Sequence, residues 1–111
     1  AAFINQDYTE VIKLNKNAPE AISANPVFQF YSGASLQNLE KYYDAIAEYS
    51  QVINHGDNLF IEEAKWYRSL CYIKIGNKDL AKQELLAVVN RKGYFTQDAK
   101  AILRRLKFSL E

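Results

Sequence analysis

Cysteine and histidine, the residues that most often carry covalent chemistry or bind transition metals, each occur only once in this chain of 111 residues. A single thiol cannot form a disulfide within the chain, so the fold does not depend on an oxidising compartment. One cysteine and one histidine cannot supply the four ligands of a structural zinc site. The cysteine count therefore favours the cytoplasm, is compatible with a bacterial periplasm, and predicts no metal or other cofactor.

An excess of charge and a long apolar segment are also missing. The chain has 14 basic and 13 acidic residues, and its net charge of +1 gives no electrostatic reason to expect a nucleic-acid partner. No run of 18 apolar residues occurs, so we expect no membrane insertion of this segment. The chain begins Ala1-Ala2-Phe3 without a methionine, which suggests a mature protein or a fragment of a longer one, and a membrane-anchored parent is compatible with this segment.

What the chain does contain is an internal repeat. A shift of 36 residues aligns identical residues at five places: Tyr31 with Tyr67, Ala45 with Ala81, Glu48 with Glu84, Val52 with Val88, and Asn54 with Asn90. A shift of 35 aligns Phe60 with Phe95, and a shift of 34 aligns Tyr8 with Tyr42. A period of this length indicates a stacked helical array, a class that usually binds proteins and rarely catalyses reactions.

Helical spacing of the apolar residues predicts five helices, at about 26–39, 42–55, 61–75, 80–90 and 97–108. Asn25 reads as the N-cap of the first helix, Asn77 or Asp79 as that of the fourth, and Thr96 as that of the fifth. Gly56 and Gly76 read as helix stops. Upstream, Asp7 and Glu10 form a capping box that predicts a further helix over 7–16.

These elements predict an all-α fold of antiparallel helix-turn-helix repeats, stacked as a short right-handed α-solenoid. We expect a single domain over residues 1–111, with a partial N-terminal repeat at 1–24 and a capping helix at 94–111. The two full repeats span 25–57 and 58–93.

Small and large residues recur at matching places of the two full repeats. The small positions are Gly33 with Ser69 and Ala45 with Ala81, and the large positions are Leu36 with Tyr72 and Tyr49 with Leu85. Small residues where two helices cross allow close approach, and large ones fill the space between neighbours. With Gly76 in the turn, this pattern resembles the tetratricopeptide repeat.

The resemblance has departures. Gln29 and Lys65 stand at the family's tryptophan position, with the aromatic residue one place on at Phe30 and Trp66. The strings Trp66-Tyr67-Arg68-Ser69-Leu70 and Gly76-Asn77-Lys78-Asp79 resemble divergent tetratricopeptide proteins of Bacteroidetes.

The resemblance implies a concave groove, lined by the first helix of each hairpin, that binds a partner peptide or helix. Carried over position by position, the groove residues are Phe30, Ala34, Gln37, Trp66, Leu70, Ile73, Lys74 and Arg105. Two interpretations of Phe30 and Trp66 stay open, since each ring could line the groove or belong to the core. Lys74, Arg68 and Arg105 are the only cations near these faces, so we predict no clamp for a partner's C-terminal carboxylate.

No catalytic constellation is evident, and we predict that the chain is not an enzyme. His55 precedes Gly56 at a helix end, where it favourably faces the helix dipole. Cys71 lies among apolar residues and reads as a buried, inert thiol. The basic residues Lys100, Arg104 and Lys107 share a helix face and read as a solvated outer surface, and Tyr31, Tyr49 and Tyr72 as packing residues.

Two hypotheses for function follow. The first is a protein-interaction module, an adaptor or scaffold that binds a protein or peptide along its concave face. The second is a structural segment of a larger protein that self-associates into a homo-oligomer.

Overall fold

The computed structural model of the chain describes residues 24–106, and all structural statements below concern these residues. They form five helices: α1 (Pro26–Asn38), α2 (Tyr42–Asn54), α3 (Ile61–Lys74), α4 (Lys78–Arg91) and α5 (Thr96–Arg105). Each helix packs against the next, and α1 also touches α3. No strand occurs between residues 24 and 106. The prediction of an all-α, antiparallel helical-repeat arrangement is confirmed. The helix predicted over 7–16 lies outside the described residues.

Asparagine side chains start the first helix of one hairpin and the second helix of the other. Asn25 Oδ1 accepts a hydrogen bond from the backbone N–H of Val27, and Pro26 follows at the first helical position. Asn77, rather than Asp79, caps α4, where its Oδ1 accepts from the N–H of Leu80 at 3.2 Å. Both predicted starts are confirmed, and the choice between the two candidates for α4 is settled.

The start of α5 differs from the prediction. Phe95, not Thr96, is the N-cap residue, no side chain caps the helix, and Thr96 is the first helical residue. Phe60 has the same place before α3. Both phenylalanine rings pack inward against the core clusters, so apolar packing of the preceding residue, rather than a polar cap, sets these two starts.

The four joints between helices pass through the left-handed backbone region at repeat-equivalent places. In the turn inside each hairpin these residues are Glu40 (φ 61°) and Gly76 (φ 81°). In the joint between each hairpin and the helix that follows it, they are Gly56 (φ 104°) and Lys92 (φ 56°). The two joints inside the hairpins also share their hydrogen bonds. Glu40 N–H donates to Gln37 O and Gly76 N–H donates to Ile73 O, both at 3.0 Å. The same turn therefore recurs with different residues.

Two hydrophobic clusters follow one another along the stack. The first lies between α1, α2 and α3 and consists of Phe30, Leu36, Ala45, Tyr49, Val52, Ala64 and Cys71. The second lies between α3, α4 and α5 and consists of Trp66, Leu85, Val88, Ala99 and Leu103. Tyr67 packs against both clusters and joins them.

Aromatic contacts repeat from one cluster to the next. The ring centroids of Phe30 and Phe60 are 4.9 Å apart, and those of Trp66 and Phe95, at the equivalent positions, are 5.2 Å apart. The centroids of Tyr31 and Phe60 are 6.2 Å apart, and those of Tyr67 and Phe95 are 6.3 Å apart. The repeat seen in the sequence therefore extends to the geometry of side-chain packing.

Arg68 joins three helices. It forms an ion pair with Glu84 on α4, and its Nη1 donates to Ser50 Oγ on α2 at 3.0 Å. Its guanidinium also lies 5.8 Å from the ring centroid of Tyr72. Burial opposes the charge of Arg68, but the hydrogen bond and the charge of Glu84 outweigh it and raise the pKa of Arg68. Arg68 thus stays charged and links the two hairpins.

Candidate functional site

A cleft of about 530 Å³ lies between α1 and α3, and we call it the groove. Aromatic and amide side chains make up most of its wall, together with three charged residues: its lining is Phe30, Tyr31, Ala34, Gln37, Asn38, Glu40, Tyr42, Tyr49, Glu63, Tyr67 and Lys74. A volume of this size is within the range of ligand-binding clefts. The groove is therefore the candidate binding site of the described chain.

A second cleft of about 580 Å³ adjoins the groove at the N-terminal end of α3. The two clefts share Glu63 and Tyr67, and the second is completed by residues of the joint between α4 and α5, including Tyr94, which is 90 % exposed. The two clefts therefore adjoin at these residues.

Four of the eight residues predicted for the groove line it. Phe30, Ala34, Gln37 and Lys74 are found in its wall. The other four lie elsewhere: Trp66 is buried in the second core cluster, Leu70 and Ile73 pack against that cluster, and Arg105 lies at the exposed end of α5. These four line neither the groove nor the second cleft.

The two aromatic residues whose role stayed open are both buried. Phe30 is 7 % exposed and Trp66 is 8 % exposed, and they belong to different clusters. Trp66 stacks on Phe95 with an interplanar angle of 11°. Burial favours the core interpretation for both, although one edge of Phe30 still reaches the groove.

Tyr31 and Tyr67 line the groove, but neither was among the predicted groove residues. The repeat pattern assigned Tyr31 to packing, whereas its side chain is 38 % exposed in the structure. Each of these tyrosines follows the core aromatic directly, and one residue rotates a helix position by about 100°. The identity of Tyr31 and Tyr67 at the same repeat position was the signal available in the sequence.

The polar groups on the wall of the groove are held by its floor. Tyr49 is fully buried in α2, and its hydroxyl donates to Gln37 Oε1 at 2.7 Å. Burial raises the pKa of Tyr49, so its hydroxyl remains a donor under all ordinary conditions. This bond orients Gln37 so that its amide Nε2, which has no hydrogen-bond partner among residues 24–106, is free to donate to a ligand.

Charge is distributed unevenly along the groove. Glu63 lies in the first turn of α3 and Lys74 in its last turn, so about 16 Å of helix separates them. Glu40 follows the C-terminal end of α1 and therefore lies at the same end of the groove as Lys74. Beside Glu63, the carboxylate of Glu62 forms an ion pair with Arg91 of α4.

The two residues considered for chemistry occupy separate environments. Cys71 is a free, fully buried thiol, and burial raises its pKa to about 12 from the ordinary 9.0. It is therefore a neutral thiol at physiological pH, as predicted. His55 is exposed at the C-cap of α2, as the sequence indicated. Between residues 24 and 106, no three potential metal ligands of the His, Cys, Asp or Glu type cluster together.

The part of the chain that the structure describes contains no helix long and apolar enough to cross a membrane. The fold and the groove define the class: the described chain is an all-α helical-repeat protein with a cleft between equivalent helices of successive hairpins. No protein-family model, curated protein or solved structure matches the chain.

Proposed function

We propose that the chain is a divergent tetratricopeptide-type module that binds a peptide or a helix of a partner protein in the groove. The observation that carries the proposal is the groove itself, an aromatic cleft between the first helices of two successive hairpins. Its wall offers several aromatic side chains from rigid helices. Large, rigid aromatic side chains in concave sites are frequent sources of binding energy.

The depth and polarity of the groove suit a peptide. Its rings provide apolar surface, while Gln37 Nε2 can donate to the polar backbone of a bound segment. Its length of about 16 Å accommodates roughly five residues of extended chain or a helix of about 11 residues. Peptide recognition by a helical groove follows the general modes known for protein modules.

Peptide display offers a test that does not depend on the identity of the partner. Ala34 lies half-buried in the groove wall, and Ala47 is exposed on α2, outside the groove. A random peptide library is panned on the full chain, and enriched peptides are titrated against Ala34→Glu and Ala47→Glu. We expect one peptide per chain, at least tenfold weaker binding to Ala34→Glu, and unchanged binding to Ala47→Glu.

Two results would contradict the proposal. Failure to enrich any peptide would remove the evidence for a peptide site, and equal binding to both variants would place the site outside the groove. Circular dichroism and urea unfolding of both variants provide the control for folding, because the two substitutions introduce the same charge on helices of the same domain.

A second candidate function, self-association, is favoured by one specific observation. Leu59 and Tyr94 occupy equivalent joints, one position before Phe60 and Phe95, and both are 90 % exposed. Sedimentation of the full chain over a hundredfold range of concentration tests this candidate. A dimer that Leu59→Ser and Tyr94→Ser together dissociate would support it, and a monomer throughout the range would reject it.

A further inference from the structure

We propose that the Glu63 end of the groove binds the cationic side chain of an arginine or lysine in the bound peptide. This inference rests on the proposed function, because it assigns the chemistry and the direction of the peptide that the groove receives. It is the reverse of a carboxylate clamp, since here the protein supplies the carboxylate and the partner supplies the cation.

The first argument is that two tyrosines at equivalent repeat positions line the same cleft as one carboxylate. Glu63 precedes Tyr67 by four residues on α3, so the two side chains lie on one face of the helix. Tyr31 has the same place on α1 that Tyr67 has on α3, and both tyrosines line the groove with Glu63. The ring centroid of Phe30 lies 5.6 Å from that of Tyr31 and 6.0 Å from that of Tyr67. The phenylalanine thus bridges the two tyrosines at the floor.

The second argument is the chemistry of such a wall. Aromatic faces carry negative electrostatic potential and attract ammonium and guanidinium groups, more strongly where water is partly excluded. A carboxylate beside them adds a charge-assisted hydrogen bond, which a guanidinium can make in bidentate form. The long aliphatic stem of arginine or lysine would at the same time cover the apolar surface of the rings.

The third argument is the charge balance along the groove. At the far end, Lys74 and Glu40 both line the wall and oppose one another in sign. At the near end, Arg91 pairs with Glu62, so that pair adds no net charge. Lys92 lines the neighbouring cleft, but no ion pair joins it to Glu63 within residues 24–106. Glu63 itself forms no ion pair within residues 24–106, so its carboxylate is available to a cation that a ligand brings.

Two small probes of the same shape test the inference without a peptide. The full chain, labelled with ¹⁵N, is titrated with n-butylguanidinium chloride and separately with n-butylurea, its neutral counterpart. We expect butylguanidinium to shift the amide resonances of Tyr31, Glu63 and Tyr67 in a saturable way at millimolar concentration. Butylurea should shift them at least fivefold less at equal concentration, and 0.5 M sodium chloride should weaken the effect of the cation.

Two matched variants locate the contact. Glu63→Gln removes the proposed carboxylate, and we expect it to weaken binding of butylguanidinium at least fivefold. Glu40→Gln removes the same charge at the other end of the groove, and we expect binding to change less than twofold. An equal response to both probes, or no loss of affinity in Glu63→Gln, would overturn the inference.

The result for the cation site can be distinguished from the result for the proposed peptide-binding function. Enriched peptides that depend on Ala34 but carry no arginine or lysine, and that bind Glu63→Gln as well as the unaltered chain, would leave the proposed function standing and reject the cation site. A specific, Glu63-dependent response to butylguanidinium with no enriched peptide would support the cation site and count against the peptide function.

Discussion

The two hairpins solve one packing problem in two ways. In the first, Gly33 on α1 lies against the ring of Tyr49, whose hydroxyl donates to Gln37. A shift of 36 residues replaces these three by Ser69, Leu85 and Ile73. Tyr49 and Leu85 are both fully buried. Glycine at position 33 is thus paired with the larger tyrosine, and serine at position 69 with the smaller leucine. The interface between the two helices is therefore filled in each hairpin.

The difference has a consequence for the surface. Tyr49 brings a hydroxyl to the floor of the groove and orients an amide there, whereas Leu85 and Ile73 bring only apolar contacts, within the second cluster. The first hairpin supplies this polar pair to the groove, while α3 of the second hairpin supplies Glu63, Tyr67 and Lys74. Divergence at three packing positions therefore places a polar pair at the groove in one repeat and apolar contacts in the second cluster in the other.

The largest expected effect tests whether the two clusters are equivalent. Trp66→Ala and Phe30→Ala each remove a buried ring from the same repeat position, so each should lower the free energy of unfolding by about 3–5 kcal/mol. Urea unfolding followed by circular dichroism measures both. A loss below about 1 kcal/mol for Trp66→Ala would mean that its ring is solvated, and the comparison of the clusters would fail.

Alkaline pH should act through the first cluster, because it contains the buried ionisable groups Tyr49 and Cys71. The pKa of Cys71 rises from 9.0 to about 12 on folding, so the unfolded chain loses this proton first. The stabilisation is complete below about pH 9 and disappears as pH rises toward 12. Between its unfolded and folded pKa values such a group contributes a slope approaching about 1.4 kcal/mol per pH unit, so Cys71 alone accounts for a loss of roughly 3 kcal/mol by pH 11.

Urea unfolding at several pH values measures this slope, and Tyr49→Phe provides a matched comparison. Burial also raises the pKa of Tyr49, so the variant should show a shallower decline above pH 10. Equal slopes for the two proteins would show that Tyr49 ionises in the folded state as readily as in the unfolded one.

The effect of Gly33→Ala on the free energy of unfolding should change sign when its neighbour Tyr49 is replaced by leucine. A Cβ at Gly33 would lie 2.7 Å from Tyr49 Cε1, so the ring would have to shift and overpacking should cost about 1–3 kcal/mol. In a Tyr49→Leu background, which imitates the second hairpin, the ring is gone and the better helix propensity of alanine should stabilise by up to about 1 kcal/mol. Four unfolding curves form the double-mutant cycle, and additive effects would disprove the coupling.

The smallest expected effects concern the joints. Glu40 and Lys92 adopt positive φ angles where the equivalent joints of the other repeat have Gly76 and Gly56. Glu40→Gly and Lys92→Gly should therefore each stabilise by about 0.5–1 kcal/mol, because glycine adopts this region without steric cost. Thermal unfolding detects such changes. Destabilisation by both would show that their side-chain contacts outweigh the backbone strain.

Most of the fold was readable from the sequence, because it is encoded in periodic and local signals. The caps at Asn25 and Asn77 and the stops at Gly56 and Gly76 each depend on a few neighbouring residues, and all were confirmed. Thr96 was misassigned because packing of Phe95 sets the start of α5, and that packing is a tertiary effect.

The site was harder to predict than the fold. Repeat alignment predicted a groove on the first helices, and a cleft lies between α1 and α3, but the alignment could not show how deeply each of two adjacent aromatic residues is buried. Phe30 and Trp66 are buried in the two clusters, whereas Tyr31 and Tyr67 are less buried and line the groove, with Tyr67 also packing against both clusters. The ring of Phe30 packs on Phe60 and that of Trp66 packs on Phe95. Because each partner is about 30 residues away in the chain, these contacts exist only in the folded stack and could not be read from the local sequence.

The left-handed joints give this chain an internal reference. At each joint one repeat has a glycine and the other a longer side chain on the same backbone, so the molecule holds two solutions to each turn, one relaxed and one strained. Each repeat can therefore be compared with the other as two homologous proteins are compared. Copying the glycine of one joint into the equivalent joint of the other repeat should give a more stable chain. Where exchanging the residues of two equivalent positions weakens ligand binding instead of stabilising the fold, the original residue would be identified as one that serves binding.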